Sequence, residues 1–150
     1  MGDFIKELYE DVVIEIINMT RATLKEAIEF KTVLTSEIDN GCRKMIIDLS
    51  NCNYMDSTFL GTIVVAFKMI SNVNGKLVLI SPKTFAYDML HVTGTMKLFN
   101  VFESMDSALQ YFDGLNSTSN IDMTKKDKGL EKNSVRINQK ESVKTSRSTF

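Results

Sequence analysis

The stretch that most constrains this chain is Lys44-Met45-Ile46-Ile47-Asp48-Leu49, followed after a short polar link by Tyr54-Met55-Asp56-Ser57-Thr58-Phe59-Leu60-Gly61. The first part is a near-continuous apolar run, the pattern of a strand buried on both faces. The second leads into Leu60, Ile63, Val64, Phe67 and Ile70, which recur at helical spacing. A helix begins with backbone N–H groups that have no partner inside it, and Asp, Ser and Thr carry short oxygen-bearing side chains that accept from them. These residues predict a buried strand, a turn, and a helix capped by Asp56.

The flanking chain repeats the theme. Phe4 to Tyr9 and Val12 to Ile17 read as strands of a hairpin turning at Glu10-Asp11. After a polar loop, Thr20 to Thr23, Leu24 to Asp39 reads as a helix that packs through Leu24, Ala27, Ile28, Leu34 and Ile38, more loosely through Val33, and stops at Asn40-Gly41. The helix after Asp56 ends near Asn72-Val73-Asn74-Gly75, and Leu77 to Ile80 is a second buried strand. Ser81-Pro82 opens a third helix carrying Phe85, Met89, Leu90 and Val92, which stops at Thr93-Gly94. Phe99 to Phe102 reads as an edge strand, and Ser104 with Asp106 opens a last helix through Ala108, Leu109 and Phe112, stopped by Gly114.

Strands separated by helices need right-handed crossovers and a mostly parallel sheet. The fold class is therefore α/β: a mixed, mostly parallel sheet with an N-terminal β-hairpin and four flanking helices. Residues 1–115 make one domain, long enough for a single core. Residues 116–150 are rich in Ser, Thr, Asn and Lys, with no aromatic residue before Phe150, and read as a disordered tail. Charge divides at the same boundary. The body holds 10 basic and 15 acidic residues, a net of −5, whereas the tail holds 8 and 4, a net of +4. Lys128, Lys132, Arg136, Lys140 and Lys144 recur every four residues, without the apolar stripe that a basic docking helix would need. An acidic body does not suit direct nucleic-acid binding.

Enzymatic chemistry finds little support. The one histidine, His91, lies at the end of an apolar helix, where it matches the dipole, and no glycine precedes Ser57 as in a nucleophile elbow. Nucleotide-cradling glycine loops are missing. Cys42 and Cys52 have neither zinc spacing nor a disulfide framework, as expected of reduced thiols in a cytoplasmic protein. No secretory leader, membrane span, metal site or cofactor is expected.

Met55-Asp56-Ser57-Thr58-Phe59-Leu60-Gly61, placed after an Ile-Ile-Asp-Leu-Ser strand end, resembles the phosphorylation-site signature of the STAS domain family of bacterial anti-sigma-factor antagonists. The similarity runs over residues 8–113 and takes in Asn74-Gly75-Lys76-Leu77, Ser81-Pro82, Val92-Thr93-Gly94 and Leu98-Phe99-Asn100-Val101-Phe102. It implies a non-enzymatic protein-binding switch. In its unphosphorylated form such a protein binds an anti-sigma factor that is itself a serine kinase. Phosphorylation of Ser57, with Thr58 a second candidate acceptor, releases it, and a serine phosphatase resets it. The implied partner surface is Asn53, Tyr54, Met55, Asp56, Ser57, Thr58, Phe59, Leu60 and Gly61, faced by Thr20 and Arg21.

The chain departs from the family pattern twice. Met19-Thr20-Arg21-Ala22 stands where many members carry an acidic Gly-x-Leu-Asp-like loop, so Arg21 is expected to approach Asp56 or a phosphate. Phe59 stands where relatives often have glycine, as a core residue or a partner anchor. Two alternatives stay open: a STAS module of another signalling complex, and a receiver-like protein phosphorylated on Asp56.

Overall fold

The structure, a computed structural model, describes residues 2–125, with Thr84 and residues 116–125 described as backbone only. Strands β1 (Phe4–Tyr9) and β2 (Val12–Ile17) form the hairpin, paired antiparallel from Phe4↔Ile17 to Tyr9↔Val12. From β2 the sheet continues in parallel through β4 (Lys44–Asp48), β6 (Lys76–Ile80) and β7 (Val101–Phe102), in the order β1-β2-β4-β6-β7. Helices α1 (Leu24–Asp39) and α2 (Ser57–Ser71) pack beside each other. The remaining helices are α3 (Thr84–Val92), α4 (Thr95–Leu98) and α5 (Met105–Lys125). Two short strands, β3 (Arg21–Ala22) and β5 (Tyr54–Met55), pair in parallel apart from the main sheet. Residues 2–112 belong to one compact unit, and a second unit begins at Asp113, within α5.

Alternation along the strands sorts the core. Val13, Ile17, Met45, Ile47, Leu49, Leu77 and Leu79 share one cluster with Ala27, Phe30, Leu34 and Ile38 of α1 and with Phe59, Leu60, Ile63, Ala66 and Ile70 of α2. The alternate set, Val12, Ile14, Ile46, Val78 and Ile80, is buried on the opposite face, so the central strands are covered on both sides as their apolar runs require. Gly75 closes the turn after α2 because a Cβ there would come within 2.7 Å of the Arg43 carbonyl oxygen.

Several expectations need correction. Leu24 and Ile28 are 56% and 68% exposed, because the buried stripe of α1 is set by Phe30 and runs Ala27-Phe30-Leu34-Ile38. Helices number five among the described residues, since Thr95–Leu98 forms a short turn of helix after Gly94, whose φ is 79°. The last strand accordingly starts at Val101, and Phe99 is buried with its ring edge-on to Phe67 at 4.8 Å. Helix α3 begins at Thr84 rather than at Pro82. The loop expected at Thr20 to Thr23 contains β3. Gly114 does not stop α5, which runs on to Lys125; an interior glycine costs a helix only about 1 kcal/mol. The basic repeat at positions 128–144 lies outside the described residues.

One charge sits inside the core layer. Glu15 of β2 is 1% exposed on the same face as Val13 and Ile17, and its Oε2 has no hydrogen-bond partner. Burial, with the like charge of Glu37 on α1, pushes its carboxyl up to about 7 against the ordinary 4.5, opposed by Lys6 of β1. Lys6 in turn is ion-paired with Glu37 at 2.8 Å. A raised carboxyl favours the folded state while it stays protonated, so its contribution is complete below pH 4.5 and lost as pH rises to about 7. Urea titrations should therefore show stability falling by up to about 3 kcal/mol across that window. The Glu15→Gln variant should lack this slope and be the more stable protein at pH 8; an unchanged slope would place the titrating group elsewhere.

Candidate functional site

The C-terminal ends of β4 and β6 lead to one end of the sheet, and there the chain builds a site from two helix N-termini. Helix α1 is capped by Thr23, whose backbone N–H and hydroxyl donate to Glu26 Oε1 at 2.9 and 3.0 Å. Those bonds hold the Glu26 carboxyl below its ordinary range. Helix α2 is capped by Asp56, whose Oδ1 accepts from the Phe59 N–H at 2.9 Å. The second oxygen, Oδ2, accepts from the Leu24 N–H, the first residue of α1, also at 2.9 Å. One carboxylate thus joins the positive ends of both helices.

Backbone bonds hold that carboxylate in place. The Asn53 and Tyr54 N–H groups donate to the Thr20 carbonyl at 2.8 and 3.0 Å, and the Asp56 N–H donates to the Ala22 carbonyl at 3.0 Å. This is the β3–β5 pairing, and it fixes the loop before α1 against the loop before α2. The Ala86 N–H donates to the Asn53 carbonyl at 2.8 Å, which ties the start of α3 to the same loop. Cys52 lies beneath it, fully buried, with its Sγ–H directed to the Tyr54 carbonyl at 3.2 Å and its thiol pushed up by burial. Such a thiol packs and does not react.

Around this frame the expected site residues divide by exposure. Ser57 and Thr58 are exposed in the first turn of α2, and Thr20, Arg21 and Asn53 are exposed beside them. Tyr54, Asp56 and Gly61 are half-buried. Met55 and Phe59 are completely buried and Leu60 nearly so, which removes these three from the expected contact surface. Phe59 is therefore core. Its ring stacks on Phe30 at 5.1 Å, and Phe30 stacks on Phe4 at 4.7 Å, a ladder of three rings from α2 through α1 to β1. Arg21 does not pair with Asp56; its guanidinium lies over the ring of Tyr54, its neighbour in the β3–β5 register, 4.3 Å from the centroid. The bonds from Leu24 and Phe59 make Asp56 the cap of α2 and its link to α1. His91 is exposed at the end of α3 with its ring parallel to Tyr87.

Sequence reasoning missed the Leu24 N–H as the second partner of Asp56, and no pattern could have found it, since 32 residues separate the two. Exposed Leu24 and Ile28 carry a weak signal in retrospect: two aliphatics one turn apart, just off the stripe set by Phe30.

Residues 11–108 match the family model described as the STAS domain. A candidate anti-sigma factor antagonist of Thermotoga neapolitana, the TM1081 homolog, is 30% identical over 109 residues, covering 72% of this chain and 96% of the relative. The candidate anti-sigma factor antagonist BtrV of Bordetella bronchiseptica is 27% identical over 84 residues, 56% of this chain and 72% of the relative. The crystal structure of a candidate anti-sigma factor antagonist, TM1081 of Thermotoga maritima, superposes with a TM-score of 0.67 at 26% identity, covering 72% of this chain and 92% of that one.

The double use of Asp56 sets apart two substitutions. Asp56→Ala should cost about 2–3 kcal/mol, a cap plus a second charge-assisted hydrogen bond. Asp56→Asn keeps one acceptor oxygen and should cost about half as much. Amide exchange should show Leu24 deprotected in both variants and Phe59 deprotected only in the alanine variant; equal protection of Leu24 in wild type and Asp56→Ala would remove the bridge from the account.

Proposed function

Because the chain belongs to the STAS domain family, we propose that it is an anti-sigma-factor antagonist, a binding switch with no chemistry of its own. In this reading its unphosphorylated form engages an anti-sigma factor that is also a serine kinase. Phosphorylation of Ser57 by that partner releases it, and a serine phosphatase restores it. It works in the cytoplasm; its two cysteines are free thiols, and no helix among the described residues is long and apolar enough to cross a membrane. The relatives described as anti-sigma factor antagonists support the class of partner.

The observation that carries the reading is Ser57 itself. It is exposed at the first position of α2, next to a cap that already satisfies the helix, and its hydroxyl makes no hydrogen bond among the described residues. A phosphate there adds about −1.5 to −2 charges at neutral pH. The helix N-terminus favours negative charge by roughly 0.3–1 kcal/mol, so the fold has little to lose. A partner covering the site has to desolvate that charge beside Asp56, and a penalty of about 2.8 kcal/mol already weakens binding 100-fold. Thr58, exposed one residue further on, is a second acceptor of the same kind.

Incubation with a purified anti-sigma serine kinase and ATP should add one acid-stable phosphate, absent from Ser57→Ala. That variant should keep its affinity for the kinase in the presence of ATP, whereas the phosphorylated protein should bind about 100-fold more weakly. Phosphate retained in Ser57→Ala and lost in Thr58→Ala would move the switch one residue. An acid-labile adduct lost in Asp56→Asn would overturn it.

A further inference from the structure

Beside the switch the surface is more apolar than a solvated helix needs. On α3, Phe85 is 66% exposed and Val92 is 82% exposed, seven residues apart and hence on one face, with half-buried Met89 between them. With half-buried Tyr54 of β5 these residues line an open groove of about 290 Å³. The Tyr54 ring lies 5.8 Å from Phe85 on one side and under the Arg21 guanidinium on the other. Through Tyr54 the groove adjoins β5, which Asp56 and Ser57 directly follow in the chain. The carboxylate-bearing residue in its lining is Asp88.

We infer that this groove is a second anchor point for the anti-sigma factor, and that it receives a large apolar side chain flanked by a lysine or arginine. The inference rests on the switch reading above and extends its interface from α2 to α3. The lining points to a side chain, because Tyr54, Phe85, Met89 and Val92 offer an open apolar wall of the kind that takes one anchor residue of a protein partner. Sign points to a basic flank: Asp88 lines the groove, and the body around it carries a net −5 over residues 1–115. The same charge disfavours a second copy of this chain as the occupant, since two such bodies repel. Position gives the groove its use. An anchor on α3 fixes the register in which the partner covers Ser57, so that a phosphate placed there has to be desolvated and the partner is released.

The test uses the full-length chain carrying a photo-crosslinking amino acid at Thr58, Phe85, Val92 or Lys76, the last at the far end of the sheet as the control. Crosslinking is done in the cells that express the partner, and adducts are identified by peptide mass spectrometry. The expected result is one anti-sigma factor joined at 58, 85 and 92 but not at 76. The peptide joined at 85 should contain a large apolar residue within three positions of a lysine or arginine. With that anti-sigma factor purified, Phe85→Asp should lower affinity at least tenfold and Asp88→Lys at least threefold. Both side chains are exposed, so neither change should empty the core. An anti-sigma factor joined at 58 but not at 85 or 92, or affinity unchanged in Phe85→Asp, overturns the groove and leaves the switch standing. Adducts at 85 and 92 with a second copy of this chain also overturn it. No anti-sigma factor at 58 removes the switch reading and this inference together.

Discussion

Everything at the working end of this molecule hangs on one carboxylate that accepts from two helices. Asp56 takes the Phe59 N–H of α2 and the Leu24 N–H of α1, each at 2.9 Å. A helix N-terminus carries roughly half a positive charge, and two of them side by side would repel. A shared anion turns that repulsion into attachment. The consequence runs outward: the loops before the two helices must lie together, and they do so through β3 and β5, a parallel pair only two residues long on each strand. Ser57 inherits its position from this arrangement, next in sequence to the anion and first in the helix.

The same region separates what must not move from what must be seen. Inward, Phe59 stacks on Phe30 and Phe30 on the partly buried Phe4, so the first turn of α2 is anchored on two rings that are fully buried. Outward, Ser57 and Thr58 face solvent with Arg21 and Tyr54 alongside. Apolar burial is insensitive to a new surface charge, whereas a covered interface is very sensitive to one. A phosphate can therefore act on binding while leaving folding alone. That asymmetry is what the proposed binding switch would use.

Much of this was legible in the residues. The apolar runs at Met45 and Leu77 gave buried parallel strands, and the Asp-Ser-Thr sequence gave the cap and the start of α2, because both signals are local and strong. Contacts between distant segments were not legible. Arg21 reads as a partner for Asp56, yet the β3–β5 pairing sets it beside Tyr54, and its guanidinium lies over that ring. Phe59 read equally as core or as anchor until Phe30 supplied the stacking partner. On α1 the periodic pattern could be drawn through Leu24 and Ile28 or through Phe30, and the largest ring won the interior. Gly114 looked like a stop signal, yet glycine ends a helix only where the backbone turns left-handed, as it does at Gly94.

The central claim is that Asp56 secures the helix pair so that charge on Ser57 is felt by a partner and not by the fold. It is tested most directly by amide hydrogen exchange on the chain made with phosphoserine at position 57, compared with the unmodified chain. The account expects Leu24 and Phe59 to keep their protection and global stability to stay within about 1 kcal/mol, the size of a charge–dipole contribution. Loss of protection at both amides, with a matching fall in stability, would show that the phosphate breaks the Asp56 bridge and would contradict the account.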